Sequence, residues 1–257
     1  MILTFDVGNS ETTIGLFAAT SLREHWRVTT VVERTPDEVS LLIRQLLGAR
    51  GISLSDVSGA ALGSVVPAVT GALAEACAMS FGTPPTVVDA SSKLPIRLAV
   101  DEPLTVGADR VINTLAASRL YQRDAIVVDL GTATTFDCIT SEGVFLGGVI
   151  APGVRTSAET LFRKTAKLPA TELRAPEKVI GTRTEDCIRA GVMFGAAAAV
   201  DGIVRRIVAA WPRPARPLVV ATGGLAEVVR PLCETLDMVA PHLTLEGLRI
   251  AYEILGG

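Results

Sequence analysis

Asp6-Val7-Gly8-Asn9-Ser10-Glu11-Thr12-Thr13, near the N-terminus, is echoed about half a chain later by Asp129-Leu130-Gly131-Thr132-Ala133-Thr134-Thr135. Each copy follows a short apolar run, residues 2–5 and 125–128, and leads into another, residues 14–17 and 136–139. That pattern predicts a strand, a tight turn and a returning strand in both places. Each turn carries a carboxylate, a glycine and several hydroxyls, which suits a polyphosphate and its metal. Glycine lets backbone N–H groups approach phosphate oxygens, the hydroxyls add donors, and a carboxylate at a strand end can hold a Mg²⁺ that keeps most of its waters. One such turn alone is as readily an ordinary Asp-Gly hairpin. Two matching copies point to a duplicated architecture and favour phosphate.

Composition sets the outer limits. A chain of 257 residues can form one large or two modest domains, each with its own core. Hydrophobic residues make up 49% of it and the mean hydropathy is +0.43, but charges are dispersed throughout. The longest apolar stretch, residues 190–200, is too short to span a bilayer and stops at Asp201. Asp6 interrupts the first apolar run, so no cleavable leader is expected, and the reading is a soluble cytoplasmic protein with no membrane partner. A net charge of −3 argues against nucleic acid, because backbone affinity needs clustered Lys and Arg. Arg205, Arg206, Arg213 and Arg216 read as solvated surface. Cys77, Cys138, Cys187 and Cys233 show no C-x-x-C spacing and the only histidines are His25 and His242, so neither zinc nor a disulfide framework is expected. Each cysteine reads as a small buried apolar residue.

Further along, Thr35-Pro36-Asp37-Glu38 predicts a capped helix start, with a strand over 59–65 and a helix over 68–81 after it. A short strand at 85–89 and a loop at 91–103 lead to a helix over 107–123. The second half repeats the order: hairpin, strand, a Gly147-Gly148 turn, a helix from near Gly153, a polar loop over 167–184, and a long Ala-rich helix over 185–211. A strand at 218–222 then runs into Gly223-Gly224. The expectation is an α/β chain of two duplicated domains, residues 1–117 and 118–257, facing a cleft.

The chain lacks both the G-x-x-x-x-G-K-[ST] phosphate loop and the G-x-G-x-x-G fingerprint. Two Asp-x-Gly hairpins with a late Gly-Gly turn instead resemble the superfamily of acetate kinase, sugar kinases, Hsp70 and actin. That resemblance implies two ribonuclease H-like domains with a nucleotide cleft between them, the hairpins holding the phosphate tail and Gly223 and Gly224 letting the adenosine lie close to the backbone. A third motif, Gly107-Ala108-Asp109-Arg110, falls at a helix start, where N–H groups and the positive dipole end favour an anion. There a carboxylate can take a hydroxyl proton and a guanidinium can grip an anion. Alone, the tetrapeptide reads more readily as an Asp stabilising its own helix with an ordinary Arg partner.

Nearly end to end, the chain resembles type III pantothenate kinase. The matching residues include Asp6-Val7-Gly8-Asn9, Val106-Gly107-Ala108-Asp109-Arg110 with Asn113, Asp129-Leu130-Gly131-Thr132, Gly147-Gly148 with Pro152-Gly153, Gly181 with Thr184, Asp201-Gly202, Gly223-Gly224 and Glu246-Gly247-Leu248. The resemblance implies ATP-dependent phosphorylation of the 4′-hydroxyl of pantothenate, the first step of coenzyme A biosynthesis. It further implies that Asp6, Val7, Gly8, Asn9, Ser10, Glu11, Thr12, Thr13 and Thr132 contact ATP, with Mg²⁺ held through water at Asp6. Val100, Gly107, Ala108, Asp109, Arg110 and Thr184 would contact pantothenate, and Asp109 would accept the proton. Asp129 would lie at a monovalent cation, K⁺ or NH₄⁺, and the protein would be a homodimer.

The chain departs from the family pattern at Ser10, where a Thr is common, and at Val100, where a Tyr is common. The second change leaves room for a different small hydroxy acid, since fold and ATP site do not fix the acceptor. Two other readings stand beside the kinase: a non-catalytic nucleotide-binding regulator on the same fold, and an ATPase of the actin or Hsp70 kind. The intact Asp6, Asp109, Arg110 and Asp129 speak against the first, and the short chain against the second.

Overall fold

The first apolar run forms β1 (Ile2–Val7), which turns and returns as β2 (Glu11–Ala18), followed by β3 (Ser21–Thr29). Then come α1 (Pro36–Gly48), β4 (Gly59–Ser64), α2 (Pro67–Phe81), β5 (Thr86–Val88), the two-residue β6 (Arg97–Leu98) and α3 (Ala108–Tyr121). The second hairpin is β7 (Ala125–Leu130) and β8 (Ala133–Ile139), continued by β9 (Val144–Pro152) and α4 (Val154–Lys164). After an irregular stretch come α5 (Thr184–Ala209), β10 (Leu218–Thr222), α6 (Ala226–Val229), β11 (Met238–Val239) and α7 (Leu243–Leu255). The structure, a computed structural model, describes residues 1–256.

Two units emerge from the contacts: Met1–Arg119 together with the segment from Leu243, and Leu120–His242. Their sheets have the same wiring. In the first, the order is β3-β2-β1-β4-β5, with β1 antiparallel to β2 and parallel to β4. In the second, β9-β8-β7-β10-β11 repeats it, with β7 antiparallel to β8 and parallel to β10. A three-strand meander followed by two parallel crossover strands, made twice, is the duplicated ribonuclease H-like architecture.

Strand alternation sets the layers of each unit. From β1, Leu3, Phe5 and Val7 pack with Val39, Ile43 and Leu47 of α1 and Leu73 and Cys77 of α2. On the opposite face, Ala61 and Val88 meet Ile112 and Leu115 of α3 and Leu248 and Ala251 of α7. In the second unit, Ile126, Val128 and Val219 pack against Met193, Val200 and Val204 of α5. Thr35 and Glu38 close a reciprocal capping box at α1, with Pro36 in the first turn, as its sequence predicts.

Four expectations are corrected. The C-terminal segment, expected in the domain 118–257, forms α7, a helix not among those expected, and lies in the first unit. Gly247 sits so near α3 that a side-chain carbon there would stand 2.6 Å from the Ile112 carbonyl oxygen, and Thr244 Oγ1 donates to Asn113 Oδ1 at 3.0 Å. Gly147 and Gly148 form no turn but lie inside β9, opposite Cys138 and Asp137, beside a register shift at Cys138 and Ile139. Asp201 lies inside α5, as the helix expected over 185–211 implies, so the apolar stretch that stops there is only part of a longer apolar helix. Glu234 N, Thr235 N and Thr235 Oγ1 all donate to its carboxylate, at 2.7–3.1 Å, so the charge is accommodated at mid-helix. α5 is thus long and apolar enough to cross a membrane by length and composition, although Ile188, Met193, Ala197, Val200 and Val204 are core residues of its unit. Cys187 is exposed, unlike the buried Cys77 and Cys233. Three of the surface arginines are ion-paired: Arg205 with Glu234, Arg213 with Asp124 and Glu142, and Arg216 with Asp237.

Candidate active site

In the first hairpin Asp6 pairs with Thr13 and Val7 with Thr12, and Gly8 N donates to Glu11 O at 3.0 Å, leaving Asn9 and Ser10 as an exposed tip. Val7 is buried and its carbonyl accepts from Val65 N at 3.1 Å, so this strand end is tied to the end of β4. Thr12 is buried as well. Its hydroxyl lies 2.9 Å from that of Thr30, and Thr30 Oγ1 donates to Gly8 O at 2.7 Å. Glu11, exposed, reaches Arg27 at 3.8 Å.

The second hairpin is one residue tighter. Asp129 pairs with Thr135 and Leu130 with Thr134, while Gly131 N closes on Ala133 O, two residues ahead, at 3.0 Å. Its back is covered by glycine contacts. At Gly223, held at φ +89°, a side-chain carbon would overlap Asp129 Oδ1 and stand 2.7 Å from Leu130 N. At Gly153, which caps α4, it would overlap Thr132 O and stand 2.6 Å from Gly131 O. Thr156 Oγ1, in the first turn of α4, donates to Thr132 O at 2.7 Å. The late Gly-Gly turn and the hairpin carboxylate are thereby brought together in one unit.

At the start of α3, Gly107 O accepts from Arg110 N and Val111 N, both at 3.1 Å, and Asp109 Oδ1 accepts from Arg110 N at 2.8 Å. Gly107 sits beside Val65, a side-chain carbon at 107 falling 3.5 Å from Val65 Cγ1. Because Val65 is bonded to Val7, the helix start carrying Asp109 and Arg110 neighbours the first hairpin within one unit. Burial pushes the Asp109 carboxyl above its ordinary value, and the Arg110 N–H and guanidinium offset only part of that rise. Thr114 Oγ1 donates to Arg110 O at 2.8 Å and the buried Asn113 accepts from Thr244, so the helix is braced one turn on.

Two expected substrate residues lie apart from these groups along the chain: Val100, half-buried in the loop after β6, and Thr184, exposed as the first residue of α5. Thr30 and Thr156 belong to no motif. Only strand register carries the first to its hairpin, and only the start of α4 carries the second. Among the described residues no group of three His, Cys, Asp or Glu could hold a metal ion. A single half-buried carboxylate at each turn fits a cation that keeps its waters or leans on phosphate, not one caged by protein.

Residues 2–206 match the family model described as type III pantothenate kinase. The type III pantothenate kinase of Moorella thermoacetica is 44% identical over 253 residues, covering 98% of this chain and 99% of that one. That of Acidothermus cellulolyticus is 45% identical over 257 residues, covering 98% of each. Among solved structures, one from Campylobacter jejuni named for the Baf family of transcriptional activators superposes with a TM-score of 0.60 at 17% identity, over 98% of both chains. One from Sinorhizobium meliloti named for a 2-dehydro-3-deoxygalactonokinase gives 0.59 at 12% identity, over 100% of this chain and 99% of that one. At such identities the structural likeness speaks to the fold alone, the acetate and sugar kinase, Hsp70 and actin fold.

Proposed function

Since the chain belongs to the type III pantothenate kinases, we propose that its two hairpins hold the phosphates of ATP and that Asp109 and Arg110 serve pantothenate. The protein is a kinase that transfers a phosphoryl group from ATP to the 4′-hydroxyl of pantothenate in coenzyme A biosynthesis. In the residue assignment, the pantothenate hydroxyl oxygen bonds to the γ-phosphorus, the bond to ADP breaks, and the hydroxyl proton passes to Asp109. Arg110 pairs with the pantothenate carboxylate through its planar fork, with Val100, Gly107, Ala108 and Thr184 completing that pocket. Asp6 through Thr13, with Thr132, Gly223 and Gly224, take the nucleotide. Mg²⁺, held through water at Asp6, supplies charge neutralisation on the phosphates when bound, and Asp129 takes the monovalent cation. The protein works as a cytoplasmic homodimer.

The observation that carries the assignment is the Val7–Val65–Gly107 neighbourhood, which sets a carboxylate with a raised pKa beside a phosphate-type turn. Phosphoryl transfer rests mainly on positioning and electrostatics, with modest help from a base. Asp109→Asn is therefore expected to lower turnover by about 10²- to 10⁴-fold while ATP still binds. The test is mass-spectrometric detection of 4′-phosphopantothenate from ATP, Mg²⁺ and pantothenate in K⁺ or Na⁺, beside that variant. A near-full rate for Asp109→Asn removes the residue from the role, and ATP binding by the native protein without product favours the regulator.

A base must be ionised, so kcat/KM for pantothenate should fall as the pH drops through the Asp109 pKa. Because burial raises that pKa, the limb lies above the ordinary aspartate value, and a profile flat down to that value contradicts the assignment. Stability has the opposite sign. A carboxyl raised by folding stabilises the fold when protonated, and that contribution is lost as the pH rises through the folded pKa.

A further inference from the structure

We infer that Thr30, outside every phosphate-type motif of the chain, is a positioning residue for the first hairpin: with Thr12 it forms a hydroxyl relay that fixes the Gly8–Asn9 peptide for a nucleotide phosphate. The inference deepens the kinase reading and rests on that hairpin taking ATP.

Thr30 follows β3, and the pairing of Glu11 with Thr29 carries it to the turn. There it makes three contacts. Its N–H donates to Ser10 O at 3.1 Å, its hydroxyl donates to Gly8 O at 2.7 Å, and its Oγ1 lies 2.9 Å from Thr12 Oγ1. The direction of the relay follows from proton counting. A carbonyl cannot donate, so the single hydroxyl proton of Thr30 goes to Gly8, and the bond between the hydroxyls runs from Thr12 to Thr30. Both protons are thus committed inward, so within the nucleotide site the Thr12 hydroxyl acts as a support of the turn, and the tip's backbone is left to meet the phosphate.

In a trans peptide the C=O of one residue and the N–H of the next point to opposite sides. Holding the Gly8 carbonyl toward Thr30 therefore turns the Asn9 N–H the other way, at the exposed tip. An amide fixed in direction before the ligand arrives is what an anion site requires. Glycine gives the peptide the freedom to rotate, and the relay removes it. Thr12 and Thr30 also line a cavity of about 40 Å³ whose walls are mostly apolar, with Phe5, Ile14, Val28 and Ile43 among them and Thr29 and Arg34 as the other polar residues. A water replacing a lost hydroxyl finds few polar partners there.

The test compares Thr30→Val, which keeps the shape without the hydroxyl, with Thr30→Ser, which keeps the hydroxyl. Calorimetric ATP affinity of the full chain is the primary readout, with KM for each substrate and the unfolding midpoint beside it. Thr30→Val is expected to weaken ATP about tenfold, the scale of one hydrogen bond in a part-buried setting, with KM for pantothenate unchanged. Thr30→Ser restores ATP binding, and Thr12→Val, which cuts only the outer link, weakens it less than Thr30→Val. Native ATP affinity in Thr30→Val overturns the relay. So does a joint loss of both substrates and the midpoint that Ser does not rescue, which marks a merely structural residue. If the native chain binds ATP and makes no phosphopantothenate while the variants behave as expected, the relay stands and the acceptor assignment fails. If it does not bind ATP, the relay falls with the ATP reading.

Discussion

The two hairpins carry almost the same residues on the same sheet wiring, but they are held by different means. The first, with Asn9 and Ser10 at its tip, is backed by side chains: a hydroxyl relay from Thr12 through Thr30 to Gly8. The second, one residue tighter, is backed by backbone: Gly223 against Asp129 and Leu130, and Gly153 against Gly131 and Thr132. At matching sheet positions, Ser64 follows the partner of Asp6 on β4 and Gly223 follows the partner of Asp129 on β10. Duplication has kept the strands and the turn chemistry while each copy found its own support. The second hairpin is therefore the less tolerant of added atoms, and the first the less tolerant of lost hydroxyls.

Added atoms give the largest contrast. Gly223→Ala forces a non-glycine residue to φ +89°, a strain of about 1–3 kcal/mol, and places its Cβ on the Asp129 carboxylate and the Leu130 backbone, for about 1–3 kcal/mol more. Gly8→Ala meets only Glu11 O at 3.0 Å, and its cost should stay at about 1 kcal/mol or less. Denaturant midpoints of the two variants would reverse the comparison if Gly8→Ala proved the more damaging.

Charge separates the copies next. Asp6, placed at Mg²⁺ through water, and Asp129, placed at a monovalent cation, do different work in the proposed site. Asp6→Asn should raise the Mg²⁺ needed for half-maximal rate by about 10- to 100-fold, the usual effect of an outer-shell partner. Asp129→Asn should leave that titration in place and flatten the response to K⁺ over Na⁺. Equal Mg²⁺ shifts in both variants would merge the two roles.

Apart from the short β6 and β11 and the terminal α7, the strands, both turns and the order of elements were legible because short apolar runs and Asp-x-Gly turns are local signals. What failed was information that only packing holds. The apolar face of α7 announces burial but not which sheet covers it, and only the fit of Gly247 on Ile112 assigns it to the first unit. Gly147-Gly148 reads as a turn by composition, while the ladder to β8 runs through it. At the candidate site, Asp6, Asp109, Asp129 and Gly223 stood out through motif and resemblance. Thr30 could not, since a threonine is an ordinary strand-end residue until register sets it on Gly8. Thr156 is hidden for a similar reason, in the first turn of a helix whose cap has no side chain.

Thr156 also offers the finest test of the contrast. Its hydroxyl donates to Thr132 O at 2.7 Å, the same distance as Thr30 to Gly8, but it does so in an exposed setting. Water can replace an exposed donor at little cost, and Gly153 keeps the same turn in place by contact alone. Thr156→Val is thus expected to change ATP affinity by no more than about threefold, below about 0.7 kcal/mol, where Thr30→Val costs about tenfold. Titrating ATP into both variants under one set of conditions decides between two accounts. A clear difference means that burial gives the hydroxyl brace its weight, whereas matching losses mean that carbonyl orientation governs both turns alike and that the glycine packing of the second hairpin is not what holds it.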